Sequence, residues 1–395
     1  MKRYDYTYPA DPKAVRYLPS DALFLDLEPT GLKKESAIIT LIGCAYIYGE
    51  NLYLIQWFND DAVSEETMLK EMESFLLSRP FTLVTFNGEN FDLPFLRAHF
   101  YYNEMSDDKK YCSVIDRGPS LDLYQLLRGF APLFPGGKAT QKALEKYMGI
   151  HREDRYSGGE LISVYREFLK TKKEELLQLI LLHNMEDVRY LASLPVLLTL
   201  YRLKEGDFTI ESLEETSYHG RTALRFLCRT DHTVPGPFFL ETDLAKAEMA
   251  DQWLFVTIFV HEGKMYHFYK DYKNYYYLPS EDRAVHKSVG TYVEKDHRCK
   301  ASPENCYYPM YSVFLPLPRP GKGYGFAVEV PDETSLPLYR RSYEDREFFL
   351  NFDDLFSGTD SMDRARAYVI SLLHTILIKK NKEKKKSKHK IKEAE

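Results

Sequence analysis

Three short stretches of the chain hold residues that could do chemistry together. Asp26-Leu27-Glu28 closes an apolar run that starts at Ala22. Side chains on a strand alternate, so these two carboxylates point to one face. Burying such charges is costly unless water at the following Pro29-Thr30-Gly31 turn or a cation meets them. Asn87-Gly-Glu-Asn-Phe-Asp92 places a third carboxylate at a helix start, just past a second apolar run. His183 and Asp187 are four residues apart on a helix and share one face. Clustered carboxylates repel and take up protons. Hard divalent cations such as Mg²⁺ accept oxygen ligands and remove that conflict. Two such ions, Mg²⁺ or Mn²⁺, about 3.5–4 Å apart can clamp the attacking and leaving oxygens of a phosphodiester. In this arrangement Asp26 bridges both ions, Glu28 and Asp187 complete the first site, and Asp92 serves the second, partly through water. His183 orients or deprotonates the attacking water.

The elements that must position these residues follow from the local pattern. Residues 1–20 read as a polar lead-in. Strands are expected at 22–28, 37–48 and 51–58, the last two separated by a Gly-Glu-Asn turn, giving an antiparallel meander. Ser64 caps a helix to about Ser78, with Glu65 and Glu66 in its first turn. Phe81 to Phe86 is apolar or β-branched, so it reads as a central parallel strand. Helices follow at 141–148, ended by Gly149, at 162–170 and at 173–190. Three strands, a helix, a strand and then helices is the order of an RNase H-like sheet. The expected fold class is α/β: a mixed sheet of three antiparallel then parallel strands, flanked by helices. A second α+β domain rich in strands follows. The expected divisions are residues 1–205, 206–378 and a Lys-rich disordered tail at 379–395.

Length and composition bound the rest. The chain has 395 residues, enough for two cores, with 44% hydrophobic and 28% charged residues. The net charge is −6, yet Lys379 to Glu395 alone holds nine Lys and three Glu, leaving the remainder acidic. No run reaches membrane-span length and the start of the chain lacks a signal-peptide pattern. Five Cys without a paired framework fit a reducing cytoplasm. The expected setting is cytoplasmic, without a membrane partner.

The three chemical stretches resemble the three exonuclease motifs of the DEDD superfamily. Asp26-Leu-Glu28 matches the first, Asn87 to Asp92 the second and His183-x3-Asp187 the third. Within the superfamily the chain most resembles exonucleases of the YprB type. The run Asp26 to Leu32, the Lys142-x-Leu-Glu145 helix with Gly149-Ile150 after it, and the His-Asn-x-x-Asp form at His183 support this. The resemblance covers about residues 20–200. It implies a 3′→5′ exonuclease that hydrolyses single-stranded DNA or RNA to nucleoside 5′-monophosphates. Two departures stand out. The best known branches carry a Tyr four residues, or a His five residues, before the last Asp; here Leu182 is five before and His183 stands at the Tyr position. Pro29 replaces a Thr of the usual turn, which removes a backbone N–H. Asp122 matches a carboxylate often present in the family, either a group behind the ligands, like Asn87, or an extra ligand. Read alone, it is an ordinary helix-start Asp.

Beyond residue 206 no motif carries assignable chemistry. Trp253–His261 and Met265–Tyr269 read as a hairpin, with short strands at 272–278 and 288–293 and a last helix at about 363–379. Tyr interleaved with Lys at Tyr272, Lys273, Tyr275 and Lys287 could stack bases and meet phosphates, with Thr30 as a further contact beside the carboxylates. The alternative is a Tyr-rich strand pair packed on its own core. The Lys tail could contact phosphates without sequence preference. The rival function is an RNase H-like nucleic-acid-binding or scaffold protein of weak or lost activity. The sequence names no protein partner.

Overall fold

The computed structural model describes residues 1–319, 336–359 and 361–392. The chain divides into two compact units. Met1–Tyr201 with Val234–Pro237 forms the first, and Arg202–Thr233 with the chain from Phe238 on forms the second.

The first unit is built on a six-stranded mixed sheet. Its elements in chain order are β1 (Lys2–Pro9), α1 (Pro12–Val15), β2 (Ala22–Pro29), β3 (Ile39–Tyr48), β4 (Asn51–Phe58), α2 (Glu65–Leu77), β5 (Thr82–Thr85), α3 (Asp92–Tyr102), β6 (Ser120–Asp122), α4 (Leu123–Leu127), α5 (Gln141–Tyr147), α6 (Gly158–Thr171) and α7 (Glu174–Leu191). The strand order is β1-β4-β3-β2-β5-β6. β2 runs antiparallel to β3 and parallel to β5, and β5 runs parallel to β6. This is the RNase H-like mixed sheet. One correction concerns the lead-in: Lys2–Pro9 pairs along its whole length with Asn51–Phe58 and adds an edge strand. The signal was present in the alternation of Tyr4, Tyr6 and Tyr8 with Arg3, Asp5 and Thr7, which is the period of a strand.

Alternation along β2 divides the core. Leu23, Leu25 and Leu27 pack with Met68, Met72 and Leu76 of α2 and with Leu96 and Phe100 of α3. The opposite face packs Leu41 and Phe58 against Leu161, Tyr165 and Phe168 of α6 and Leu177, Ile180 and Leu181 of α7. Asp26 and Glu28 belong to this second face. α7 comes unusually close there because Gly43 of β3 has no side chain. A Cβ on Gly43 would lie 2.2 Å from Asn184 Oδ1 and 2.7 Å from Val188 Cγ2.

Among the described residues the second unit holds three further sheets. A five-stranded antiparallel sheet begins with the hairpin Thr209–Tyr218 and Arg221–Arg229. His219 and Gly220 turn it with φ of 50° and 75°, the mirror-image turn that matches strand twist. The expected hairpin after Trp253 is not formed. Trp253–Phe259 pairs with Arg221–Arg229 and Ala245–Ala250, whereas His261–Phe268 pairs with Tyr307–Pro316 of a four-stranded sheet. Glu262-Gly263-Lys264 lies within that second strand instead of turning the chain. The segment 288–293 is not a strand either: Lys287–Gly290 is one helical turn capped by His286. The last helix spans Ser361–Lys392, so the Lys-rich stretch continues it instead of being unstructured to Lys392. Lys and Glu are good helix formers, and the turn before them is anchored by buried Leu373 and Ile376. The last three residues of the tail lie outside the described residues. No helix among the described residues is long and apolar enough to cross a membrane.

The close approach at Gly43 gives a direct test. Gly43→Ala should cost about 1–3 kcal/mol by overpacking α7 against the sheet, read from urea denaturation. Gly159→Ala, where the added carbon meets nothing within 4 Å, should be neutral or slightly stabilising.

Candidate metal centre

β2 brings two carboxylates to the α7 face. Asp26 Oδ2 accepts a hydrogen bond from Asn184 Nδ2 at 2.9 Å. Asn184 is fully buried and is itself fixed, since its Oδ1 accepts from Gln56 Nε2 at 2.9 Å. Gln56 also donates to the Leu181 carbonyl at 3.0 Å. Asp26 is thus tied to α7 through an amide pair that reaches across β3 and β4. The ladder between β2 and β3 shifts register at Glu28/Pro29. Pro29 sits at that irregularity, where a missing N–H is tolerated. Thr30 closes the loop that follows: its N–H donates to the Ile38 carbonyl at 2.9 Å and its hydroxyl accepts from the Ile38 N–H at 3.0 Å.

The second motif is a turn that delivers Asp92. Asn87 adopts φ of 66°, a conformation Asn tolerates better than most residues. Gly88 follows because a Cβ there would fall 2.4 Å from Thr85. Asp122 holds this turn: its carboxylate accepts from the N–H of Asn87 at 2.8 Å and of Glu89 at 3.4 Å, and from Tyr124 N at 3.0 Å as the cap of α4. Those backbone donors account for both Asp122 oxygens, so it supports the turn behind the cluster. Asn87 Oδ1 accepts from Asn90 Nδ2 at 2.8 Å, so it also shapes the turn. Asp92, 5% exposed, opens α3, and its Oδ1 accepts from the Leu27 N–H at 3.1 Å. That bond ties α3 to β2 midway between Asp26 and Glu28.

α7 supplies the third motif. Leu177, Ile180, Leu181, Asn184 and Val188 are buried, Asn184 and Val188 directly against the sheet, and the neighbouring row carries His183 and Asp187. His183 Nε2 lies 3.4 Å from Glu28 Oε1 and 3.2 Å from Asp187 Oδ2. Glu28, His183 and Asp187 each offer a ligand atom, all within 4.8 Å of one another, and so form a group that could hold a metal ion.

The loop between α5 and α6 adds residues that the sequence motifs do not mark. Glu186 of α7 accepts the N–H groups of Glu153 and Asp154, both at 3.0 Å, and so clamps the loop to the helix. Asp154 Oδ2 then meets His183 Nδ1 at 2.8 Å and Lys142 Nζ at 3.1 Å. Arg152 is paired with Glu145 and reaches Asp187 Oδ1 at 2.7 Å. Gln141 donates to the Asp187 carbonyl at 2.8 Å. The segment His151 to Tyr156 carries no recognised motif.

The electrostatics follow from this crowding. Burial raises the carboxyls of Asp26 and Glu28 well above the usual range, and the charge of Asp187 raises both further. Asp92 is pushed to about 7, chiefly by burial, against the pull of its backbone N–H partners. Asp154 goes the other way. Burial would raise it, but the Tyr156 N–H, His183 and Lys142 hold it below the ordinary value.

Tyr272, Lys273, Tyr275 and Lys287 lie in the second unit around its three-stranded sheet. Tyr275 is stacked on Tyr269 with ring centroids 4.5 Å apart, which occupies one of its faces. Lys287 donates to the Lys273 carbonyl.

Residues 23–199 match a family model described as RNase_H superfamily. Solved structures with similarity include a family B DNA polymerase from the hyperthermophilic archaeon Pyrobaculum calidifontis, 13% identical over 65% of this chain and 35% of that chain, with a TM-score of 0.34. The zinc-bound E. coli ExoI–ssDNA complex is 15% identical over 53% of this chain and 54% of that one, with a TM-score of 0.27. A moderately thermophilic exonuclease I from Methylocaldum szegediense is 13% identical over 53% and 54%, with a TM-score of 0.26. The chain therefore spans about half or less of these proteins. No curated protein matches it.

Asp92 gives a pH test. Its ordinary pKa of 3.8 rises to about 7 in the folded protein. The unfolded chain therefore loses this proton first, and metal-free stability falls as pH rises from about 4 to about 7. Asp92→Asn removes that loss. In EDTA, the melting temperature of the variant should match wild type near pH 4.5 and exceed it at pH 8. An equal offset at both pH values would show that Asp92 carries no such burden.

Proposed function

We propose that the first unit is a metal-dependent nuclease, a 3′→5′ exonuclease acting on single-stranded DNA or RNA. The observation that carries this reading is the convergence of Asp26, Glu28, Asp92 and Asp187. These carboxylates are near enough that Asp187 raises Asp26, Glu28 and Asp92, and Asp92 is buried while the other three are largely covered. Such repulsion is relieved by protonation or by a cation, and a divalent ion relieves it while leaving the carboxylates ionised. The donor set, mostly carboxylate oxygen, fits Mg²⁺ or Mn²⁺, and an RNase H-like sheet is a common scaffold for nucleases. Two ions held by these residues would supply charge stabilisation for the attacking and leaving oxygens of a phosphodiester.

The residues of the chain have separable roles. Asp26 is aimed by Asn184, and Asp92 by the Leu27 N–H. Arg152 takes one oxygen of Asp187 and leaves the other turned to His183. The 3′→5′ direction and the single-stranded substrate rest on the motif resemblance. Nucleic-acid contact by the Tyr- and Lys-rich part of the second unit belongs to the same proposal.

End-labelled single strands test this. DNA and RNA carrying 3′ or 5′ labels, incubated with Mn²⁺, Mg²⁺ or EDTA, should release mononucleotides from the 3′ end only when metal is present. Asp26→Asn should slow release by roughly 10²–10³-fold or more, the scale of losing one preorganised electrostatic group. Undiminished cleavage by the variant would reject the site. Retained binding without any cleavage by wild type would favour a binding module.

A further inference from the structure

His183 is oriented from behind with unusual care. Asp154 Oδ2 meets its Nδ1 at 2.8 Å, while Asp154 Oδ1 accepts the Tyr156 N–H at 2.9 Å. The backbone of Asp154 is in turn clamped by Glu186. His183 is 4% exposed, and an ionised Asp154 fixes the ring with Nδ1 as donor. The lone pair of Nε2 then points between Glu28 Oε1 and Asp187 Oδ2, at 3.4 and 3.2 Å. Three lone-pair-bearing atoms facing one another are stable only with a positive centre among them, either a proton or a metal ion.

We infer that His183 Nε2 is a metal ligand, sharing the first ion with Glu28 and Asp187, and that Asp154 is the positioning residue that aims it. This rests on the metal-dependent reading above and revises the role that the sequence alone suggests for His183. A ring nitrogen committed to a metal cannot also take a proton from water, so His183 is not the general base. The geometry is that of a carboxylate–histidine–metal chain, in which the rear carboxylate fixes the tautomer and raises the basicity of the ligating nitrogen. Arg152 completes the arrangement by holding Asp187 Oδ1 at 2.7 Å, so that Oδ2 faces the same point as Nε2. The consequence is selectivity. Imidazole suits the later transition ions, Mg²⁺ favours all-oxygen surroundings, and Mn²⁺, also an oxygen-preferring ion, stands at the start of the transition series and accepts a nitrogen ligand more readily than Mg²⁺. The first position should therefore prefer Mn²⁺ or a later transition ion over Mg²⁺.

Pulsed electron paramagnetic resonance of Mn²⁺ on the intact chain tests this without substrate. Wild type should show coupling of Mn²⁺ to one imidazole nitrogen, shifting as expected on ¹⁵N-histidine labelling, and the coupling should vanish in His183→Gln. By calorimetry, wild type should bind Mn²⁺ at least about tenfold more tightly than Mg²⁺. His183→Gln should erase that preference, and Asp154→Asn should weaken Mn²⁺ binding by about 10–100-fold. Mn²⁺ bound by wild type with no nitrogen coupling would overturn the inference while leaving the carboxylate site intact. No Mn²⁺ binding sensitive to Asp26→Asn would overturn both. The wild-type spectrum decides the matter even if a variant fails to fold.

Discussion

Asp26, Glu28, Asp92 and Asp187 come from three elements, β2, α3 and α7, and converge closely enough that the charge of Asp187 raises the other three carboxyls. Their mutual repulsion is the condition to which the neighbourhood answers. The nearby cations offset it only in part. Arg152 is shared with Glu145, and Lys142 lies against Asp154. A divalent ion inside the cluster would relieve what these side chains do not.

The scaffold withstands this repulsion through bonds that join the elements in pairs. Gln56 and Asn184 link β4 and α7 to Asp26. The Leu27 N–H links β2 to Asp92. Asp122 holds the turn that starts α3, and Glu186 holds the loop that carries Arg152 and Asp154. Gly43 lets α7 approach near enough for the Asn184 amide to reach Asp26. Each bond is modest, about 0.5–3 kcal/mol by general experience, but together they leave the carboxylates little room to separate. The site is thus preorganised, at a cost in stability for the metal-free chain.

Parts of this were legible in sequence because they are local. The i, i+2 spacing of Asp26 and Glu28 and the i, i+4 spacing of His183 and Asp187 translate directly into shared faces. The apolar runs around them define the strands and helix. The loop residues were not legible. Asp154 is 29 residues from His183, and nothing in a run of alternating charges tells which of them turns inward. The backbone donors that Asp122 accepts from the Asn87 turn and from Tyr124 come from chain segments up to 35 residues apart, which spacing alone does not bring together. Lys2–Pro9 was missed because Tyr alternating with charge at a chain end resembles a polar lead-in. In the second unit, the Trp253 and His261 strands follow each other closely yet join different sheets. Proximity in sequence favours a hairpin, and only the partners Arg221–Arg229 and Tyr307–Pro316 decide otherwise.

The central claim is that the carboxylate cluster is a metal centre. Anomalous scattering from crystals of the protein grown with Mn²⁺ would test it most directly. The account predicts a manganese peak among Asp26, Glu28 and Asp187, absent from crystals of Asp26→Asn. A map with no peak in that pocket, or with manganese only at surface carboxylates, would contradict it.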